Sequence, residues 1–222
     1  MNADAHLIYE AYKPKGFTGV KTDKRGSKEW YVNGELHRLD GPAIEYANGT
    51  KEWFVNGERH REDGPAIENA GSNRRWSGVK KEWFVNGERH REDGPAVEWT
   101  NGDKAWFVHN KRHRLDGPAV EDASGTKEWY VNDKRHREDG PAIEWINGRK
   151  EWHVNGKPHR EGGPAIDWPG LRKAWWVNGD LHREDGPAVE HANGSREWWT
   201  HGNLIRKEGP MHTALKDLGI DL

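Results

Sequence analysis

The sequence predicts an all-β fold, an elongated single-domain array of stacked β-hairpins with a short C-terminal helical cap. Three observations lead to this prediction. Tryptophan recurs at a fixed spacing, Asn-Gly pairs punctuate the chain, and the stretch from Lys51 to Glu68 returns almost unchanged from Lys81 to Glu98. A period between about 20 and 50 residues is typical of arrays in which each repeat completes the core of its neighbours.

The tryptophan spacing defines the repeats and the domain organisation. Eight copies begin 23 residues apart, except for one step of 30, at Trp30, Trp53, Trp83, Trp106, Trp129, Trp152, Trp175 and Trp198. The array therefore spans residues 28–210, with a lead-in over 1–27, an insertion at about 70–79 and a cap over 211–222. Ala214, Leu215 and Leu218 have the spacing of a short amphipathic helix that covers the last repeat.

Each repeat is interpreted as a meander of short strands and tight turns. Asn-Gly is the strongest short signal for a two-residue hairpin turn, and nine such pairs occur in the chain. Two-residue turns at Asn48-Gly49 and Asn56-Gly57 determine the register. Ile44 and His60 then both lie opposite Trp53, which predicts a core face that carries the repeated tryptophan and an opposite face that carries charges.

The aromatic residue that follows each repeated tryptophan falls on the charged face of this register. Rings there could stack on sugars or bases or anchor a peptide, or they could make cation–π contacts with Arg59 and Arg89. This predicted surface ladder consists of Tyr31, Phe54, Phe84, Phe107, Tyr130, His153, Trp176 and Trp199.

The same register places glutamates opposite each other across the first turn of a repeat. Paired carboxylates can serve a glycosidase or hold calcium. Because the pair recurs along the array with an arginine such as Arg61 beside it, a solvated charge ladder is the favoured interpretation. The pairs are Glu45 with Glu52, Glu121 with Glu128, Glu144 with Glu151, and Glu190 with Glu197.

A His-Arg-x-Asp-Gly motif recurs from His37 to His182 and raises the question of metal binding or catalysis. Equivalent histidines in successive repeats would lie about 10 Å apart, too far to share an ion, and no nucleophile recurs beside them. A catalytic residue is needed once, whereas a structural residue is needed in every repeat. The sequence therefore predicts a structural role, in which His60 packs on Trp53 and Asp63 orders the turn, with no catalytic residue, metal or cofactor.

Composition constrains the partners. The chain has 35 Lys plus Arg against 37 Asp plus Glu, so no global field favours nucleic acid. It has no cysteine and no apolar run long enough to span a bilayer, and we expect a soluble cytoplasmic protein, monomeric or a small homo-oligomer. A hydrophobic content of 32% leaves little apolar surface for a core, and the 14 large tryptophan side chains supply it.

The insertion carries Arg74, Arg75 and Trp76 between two glycines. Insertions in repeat arrays emerge as loops on one face, often the binding face. Arginine and tryptophan are the residues most enriched at interface hot spots, so these three are candidate partner-binding residues. The alternative is a solvated loop whose tryptophan folds back onto the sheet.

The repeat resembles the MORN family in its divergent form. The resemblance covers residues 28–210 and rests, in the second repeat, on Tyr46, Gly49, Trp53, Asn56, Gly57, His60 and Gly64. It implies stacked β-hairpins in an extended sheet and a non-enzymatic scaffold or binding platform.

Three classes of function remain open at this stage. The leading prediction is a scaffold that binds a protein partner through its sheet surface and the inserted loop. The second is a module that sequesters a small anionic, nucleotide-like or sugar-like ligand. An enzyme would need a singular, irregular cluster, and the irregular places are the insertion and the sixth repeat with His153, Pro158 and Gly162.

Overall fold

A computed structural model describes residues 16–71 and 78–210 of the chain. Within these ranges short strands are joined by turns, no helical element occurs, and no helix is long and apolar enough to cross a membrane. The all-β prediction is confirmed. The predicted helical cap at 211–222 lies outside the described residues, and no helix within the described ranges supports it. Arg74, Arg75 and Trp76 also lie outside the described residues.

The chain divides into two compact units, Met1–Lys111 and Arg112–Leu222. The first unit contains β1 (Gly19–Thr22), β2 (Lys28–Val32), β3 (Glu35–Leu36), β4 (Ile44–Glu45), β5 (Lys51–Glu52), β6 (Phe54–Val55), β7 (Glu58–Arg59), β8 (Ile67–Glu68), β9 (Val79–Glu82), β10 (Phe84–Val85), β11 (Glu88–Arg89), β12 (Val97–Trp99), β13 (Lys104–Ala105) and β14 (Phe107–Val108). The unit boundary falls within β15 (Lys111–Arg112).

The second unit repeats the same series of short strands. It contains β16 (Val120–Glu121), β17 (Lys127–Glu128), β18 (Tyr130–Val131), β19 (Lys134–Arg135), β20 (Ile143–Glu144), β21 (Lys150–Glu151), β22 (His153–Val154), β23 (Lys157–Pro158), β24 (Ile166–Trp168), β25 (Arg172–Ala174), β26 (Trp176–Val177), β27 (Asp180–Leu181), β28 (Val189–His191), β29 (Arg196–Thr200) and β30 (Asn203–Glu208).

Most strands of each unit form an antiparallel meander. In the first unit β1 pairs with β2 and β2 with β3 and β4, and the pairing continues β4-β5-β8-β9-β12-β13. In the second unit it runs β16-β17-β20-β21-β24-β25-β28-β29-β30. The other strands form separate two-stranded hairpins, such as β6 with β7 and β22 with β23. Each repeat therefore adds one meander pair and one hairpin.

The repeated tryptophan is the junction between the meander and the hairpin. Trp53 lies between β5 and β6, and its backbone N–H donates to the carbonyl oxygen of Ala66 at 2.9 Å. Its own carbonyl oxygen accepts from the N–H of His60 at 3.2 Å. Because these two bonds reach different segments, the chain passes from the meander into the hairpin at this residue.

The second turn of the repeat has the predicted geometry. Phe54 lies opposite Arg59 and Val55 opposite Glu58, which leaves a two-residue loop. Asn56 and Gly57 occupy this loop with φ of 50° and 77°. Positive φ at both central residues is the requirement that favours Asn-Gly in hairpin turns, so this part of the register prediction is confirmed.

The first turn differs from its prediction. Glu45 lies opposite Lys51 and Ile44 opposite Glu52. The loop therefore has three residues between Tyr46 and Thr50, and Gly49 is its one residue with positive φ, at 87°. A three-residue loop that ends in a glycine of this conformation is the next most common hairpin connection. The asparagine signal is the same in both loops, so the sequence pattern could not separate the two lengths.

The shift of one residue moves the side chains of β5 to the other face, while Ile44 stays on the core face as predicted. Ile44, Glu52 and Phe54 are buried, whereas Trp53 is half-buried. The prediction that the aromatic residue after the tryptophan lies on the outer face is wrong, whereas the half-buried Trp53 packs against the core cluster that contains Phe84. In the first unit, Phe54 packs with Leu36, Ala43 and Ile44, and Phe84 packs with Ala66 and Ile67.

The predicted surface ladder is consequently part of the core. Five of its members, Tyr31, Phe54, Phe84, Trp176 and Trp199, pack in clusters with buried alanines and β-branched residues of the meander. Phe54, Phe84, Tyr130 and His153 are buried, and Tyr31, Phe107, Trp176 and Trp199 are half-buried. Rings in this environment are not free to stack on an extended ligand.

Candidate interaction surface

The outer face of each meander carries a row of alternating charges. Every charged residue of the row lies directly opposite a residue of the other sign, which stabilises antiparallel pairs and disfavours slipped registers. In the first unit the row is Lys28, Glu45, Lys51, Glu68, Lys81, Glu98 and Lys104. In the second unit it is Glu121, Lys127, Glu144, Lys150, Asp167, Lys173, Glu190 and Arg196, and Arg196 lies opposite the buried Glu208.

The predicted pairs of glutamates are not opposite each other. Glu45 and Glu52 lie on different faces because of the one-residue shift, and the same holds for Glu121 with Glu128, Glu144 with Glu151, and Glu190 with Glu197. The outer glutamate of each pair belongs to the alternating row. The inner glutamate points to the core.

In the second repeat the inner glutamate is neutralised by an arginine of the hairpin. The fully buried Glu52 carboxylate accepts hydrogen bonds from Arg59 Nη2 at 3.1 Å and from the Tyr46 hydroxyl at 2.8 Å. Arg59 also lies 5.4 Å from the ring of Phe54 and 5.6 Å from that of Phe84. The sequence had assigned this neutralisation to Arg61. The alternative interpretation of the ladder, as rings in cation–π contact with Arg59 and Arg89, agrees with these distances.

Arg61 instead forms a clamp with the repeated tryptophan. Its guanidinium carbon lies 4.0 Å from the ring centre of Trp53, which is a cation–π distance. Its Nε donates to Asp63 at 2.9 Å, and its Nη1 donates to Glu68 at 3.0 Å. The same stacking joins Trp30 with Arg38, Trp83 with Arg91, Trp129 with Arg137, Trp152 with Arg160, Trp175 with Arg183, and Trp198 with Arg206.

The glycine of the motif makes room for this clamp. A Cβ atom on Gly64 would lie 2.9 Å from Arg61 Cζ, closer than real contacts allow. We expect Gly64→Ala to push the guanidinium off Trp53 and to lower the free energy of unfolding by about 1–2 kcal/mol. Gly209→Ala is the matched control, because a Cβ atom there would have no neighbour within 4 Å. Equal urea midpoints for the two variants would contradict the clamp.

The motif histidine links each repeat to the next one. His60 Nδ1 accepts a hydrogen bond from the backbone N–H of Asn86 at 3.1 Å. The same bond recurs at His37, His90, His113, His136, His159 and His182. The role is structural, although Asp63 bonds to Arg61 and does not orient the histidine ring. Nowhere in the described part of the chain do three His, Asp or Glu side chains gather as metal ligands.

The motif aspartate makes stability sensitive to acid. A hydrogen bond from Arg61, together with its positive charge, lowers the pKa of Asp63 from its ordinary value of 3.8. Ionised Asp63 therefore stabilises the fold at pH values above about 4, and this contribution disappears as the pH falls through the lower folded-state pKa. We expect the difference in unfolding free energy between wild type and Asp63→Asn to be constant near neutrality and to shrink below pH 4. A difference independent of pH would contradict this assignment.

An exposed acidic loop row follows from the same motif. In every copy but the last, the two residues after the motif arginine are exposed, and Glu62 and Asp63 both have side chains that are 84% exposed. Where an apolar residue replaces the glutamate, it is equally exposed, as at Leu39 and Leu115. The acidic loop row comprises Asp40, Glu62, Asp63, Glu92 and Asp93 in the first unit, and Asp116, Glu138, Asp139, Glu161, Glu184 and Asp185 in the second. The sequence pattern predicts a turn at this motif and does not by itself indicate an exposed acidic surface.

The core of the sixth repeat differs from that of the second. Pro158 stands where Arg59 stands in the second repeat, so the hairpin offers no arginine to Glu151. Arg149 and His153 bond to the Glu151 carboxylate instead, the latter at 3.0 Å. Burial raises the pKa of Glu151, but these two bonds and their charges hold it below its ordinary value. His153, predicted in the surface ladder, is therefore a partner of a buried acid.

Comparison with known proteins leaves the family open, because neither a model of a protein family nor a curated protein sequence matches the chain. The resemblance to MORN repeats stays a prediction.

Proposed function

We propose that the protein is a non-enzymatic repeat scaffold that binds a protein partner. The observation that carries this proposal is the acidic loop row, in which every motif copy but the last exposes at least one carboxylate. The fold explains the motif arginine, glycine and histidine of each copy. It does not explain why the residue after the arginine is so often an exposed glutamate.

The charge of the row indicates the chemistry of the partner. Asp63 is already bonded to Arg61, whereas Glu62 lies 3.7 Å from the ring of His60 and otherwise faces solvent. A basic segment of a partner would complement several such glutamates at once. Single exposed ion pairs contribute little, so the row requires several contacts and the binding should weaken with salt. Leu39 and Leu115 supply exposed apolar contacts beside the charges.

The inserted Arg74, Arg75 and Trp76 are a second proposed contact. They lie outside the described residues, so support for them comes from the sequence alone. Two guanidinium groups and an indole could bind carboxylates and a pocket on the partner.

The proposal is tested by capture from a lysate of the native host, identification of the partner and measurement of its Kd. Glu62→Lys with Glu92→Lys should weaken binding at least tenfold, about 1.4 kcal/mol, and reduce its salt dependence. The matched control is Glu35→Lys with Glu58→Lys, which changes the charge equally at exposed positions of the hairpins. The triple alanine variant of 74–76 tests the second contact separately. Unchanged affinity in both the glutamate variant and the triple variant would overturn the proposed surfaces.

The second candidate function, a module for a small anionic ligand, is favoured by the surface cleft beside Arg172 in the second unit.

A further inference from the structure

The second unit contains a group of rings and cations that the repeat does not require. At the first turn, the residues on either side of the loop are Tyr46 and Thr50 in the second repeat. The corresponding pairs are Trp145 with Arg149 and Trp168 with Arg172 in the sixth and seventh repeats. Positions that a repeat fills with several residue types are not demanded by the fold, so two adjacent Trp–Arg pairs call for their own explanation.

Arg149 has a structural explanation. It lies 4.4 Å from the ring centre of Trp145 and 4.7 Å from that of Trp168, and it is bonded to Glu151 two residues further along the strand. As Pro158 leaves Glu151 without its usual arginine, Arg149 supplies the missing charge.

Arg172 occupies the same position in the next repeat but has no acid to neutralise. The residue two positions further along the strand is Ala174, where the sixth repeat has Glu151. In the described part of the chain Arg172 forms no ion pair, and it is half-buried. A guanidinium that is held by a strand and lacks its carboxylate is available to an anion from outside.

Arg172 lines a surface cleft of about 200 Å³. The cleft is bordered by Trp168, by the turn Pro169-Gly170-Leu171 and by Lys173, Glu190 and His191. Trp168 and His191 lie directly opposite Arg172 on the two neighbouring strands, so a ring, a guanidinium and an imidazole are adjacent at strand spacing, about 5 Å.

The charge of the cleft favours an anion. Its one acid, Glu190, is bonded to Arg183 at 3.0 Å and lies opposite Lys173. Arg172 is therefore left as the cation without a counter-charge. Arg149 lies 4.7 Å from the ring centre of Trp168 but does not line the cleft.

We propose that this cleft binds a small molecule that combines a planar ring with a phosphate, of the size of a nucleoside monophosphate. The ring stacks on Trp168, and the phosphate accepts hydrogen bonds from the Arg172 guanidinium. Base stacking on aromatic side chains and bidentate binding of phosphate by arginine are the two interactions that these residues are suited to make. A cleft of this volume is below the range for fully enclosed ligands, so part of the ligand stays in solvent.

The test is calorimetric titration of the full chain with AMP, adenosine, ribose 5-phosphate and inorganic phosphate. AMP should bind at least tenfold more tightly than each of the other three, because only AMP offers both the base and the phosphate. Equal affinity for AMP and ribose 5-phosphate would overturn the stacking on Trp168. Equal affinity for AMP and adenosine would overturn the phosphate site, and the absence of AMP binding up to millimolar concentration would overturn the whole proposal.

Three variants locate the binding. Arg172→Ala should weaken AMP binding at least tenfold, whereas Lys150→Ala, which removes the same charge from the outer face, should change it less than twofold. Ala174→Glu gives Arg172 the carboxylate that Arg149 has, and it should abolish binding while circular dichroism remains native. If Ala174→Glu unfolds, the comparison of Arg172→Ala with Lys150→Ala still tests the site, because neither side chain belongs to the apolar core cluster of Ile166, Ala174 and Val189. Equal effects of these two variants would overturn the site.

Discussion

Phe84→Ala is expected to lower the free energy of unfolding by about 3–5 kcal/mol, the range for large aromatic truncations in a core. Phe84 is 6% exposed and packs on Ala66 and Ile67, so the truncation leaves a cavity between the hairpin and the meander. Urea denaturation measures the loss.

Leu115→Ala is the control for this experiment, because its side chain is 81% exposed and its removal should cost less than about 0.5 kcal/mol. The register predicted from sequence led to the opposite expectation, in which the residue after the tryptophan could be truncated at little cost. A loss below 1 kcal/mol for Phe84→Ala would support that earlier register and contradict the packing in the structure.

Arg59→Leu is expected to cost about 3 kcal/mol, because it leaves the buried Glu52 carboxylate without its cation. The hydroxyl of Tyr46 would remain as its hydrogen-bond donor, but a hydroxyl does not neutralise the charge. Chemical denaturation near neutral pH measures this loss.

The seventh repeat supplies the compensating substitution. It has Ala174 and Leu181 at the positions of Glu52 and Arg59, and both pack in an apolar cluster with Ile166 and Val189. The double variant Glu52→Ala with Arg59→Leu copies this arrangement and should regain most of the stability, to within about 1 kcal/mol of wild type. A double variant that stays about 3 kcal/mol less stable than wild type would mean that the ion pair itself stabilises the repeat, beyond avoiding an unpaired charge.

The correct predictions from the sequence rest mainly on interactions between residues that are close along the chain. The 23-residue period, the all-β class and the two-residue turn at Asn56-Gly57 depend on residues close in sequence and on the φ values that each residue tolerates. The structural role of the motif histidine also followed from repetition, since every copy makes the same bond to the next hairpin.

The two candidate surfaces could not be predicted in this way, because they depend on contacts between residues that are distant along the chain. The acidic loop row could have been noticed as a pair of charged residues at a fixed place in each repeat, but its exposure depends on the clamp of Arg61 over Trp53. The cleft at Arg172 could have been suspected from the substitution of Glu151 by Ala174 in the next copy. Its neighbours Trp168 and His191 meet it only through strand pairing.

By itself, the sequence determined the repeat, its strands and the residues that recur. Only the tertiary structure decided which face of each strand is buried. The physical reason is that Asn-Gly fits both a two-residue and a three-residue loop, and a difference of one residue moves every side chain of a strand to the other face. Burial of Ile44 against Phe54 selects the three-residue loop at Asn48-Gly49, and with it the inward glutamate, the outward charge row and the buried aromatic ladder.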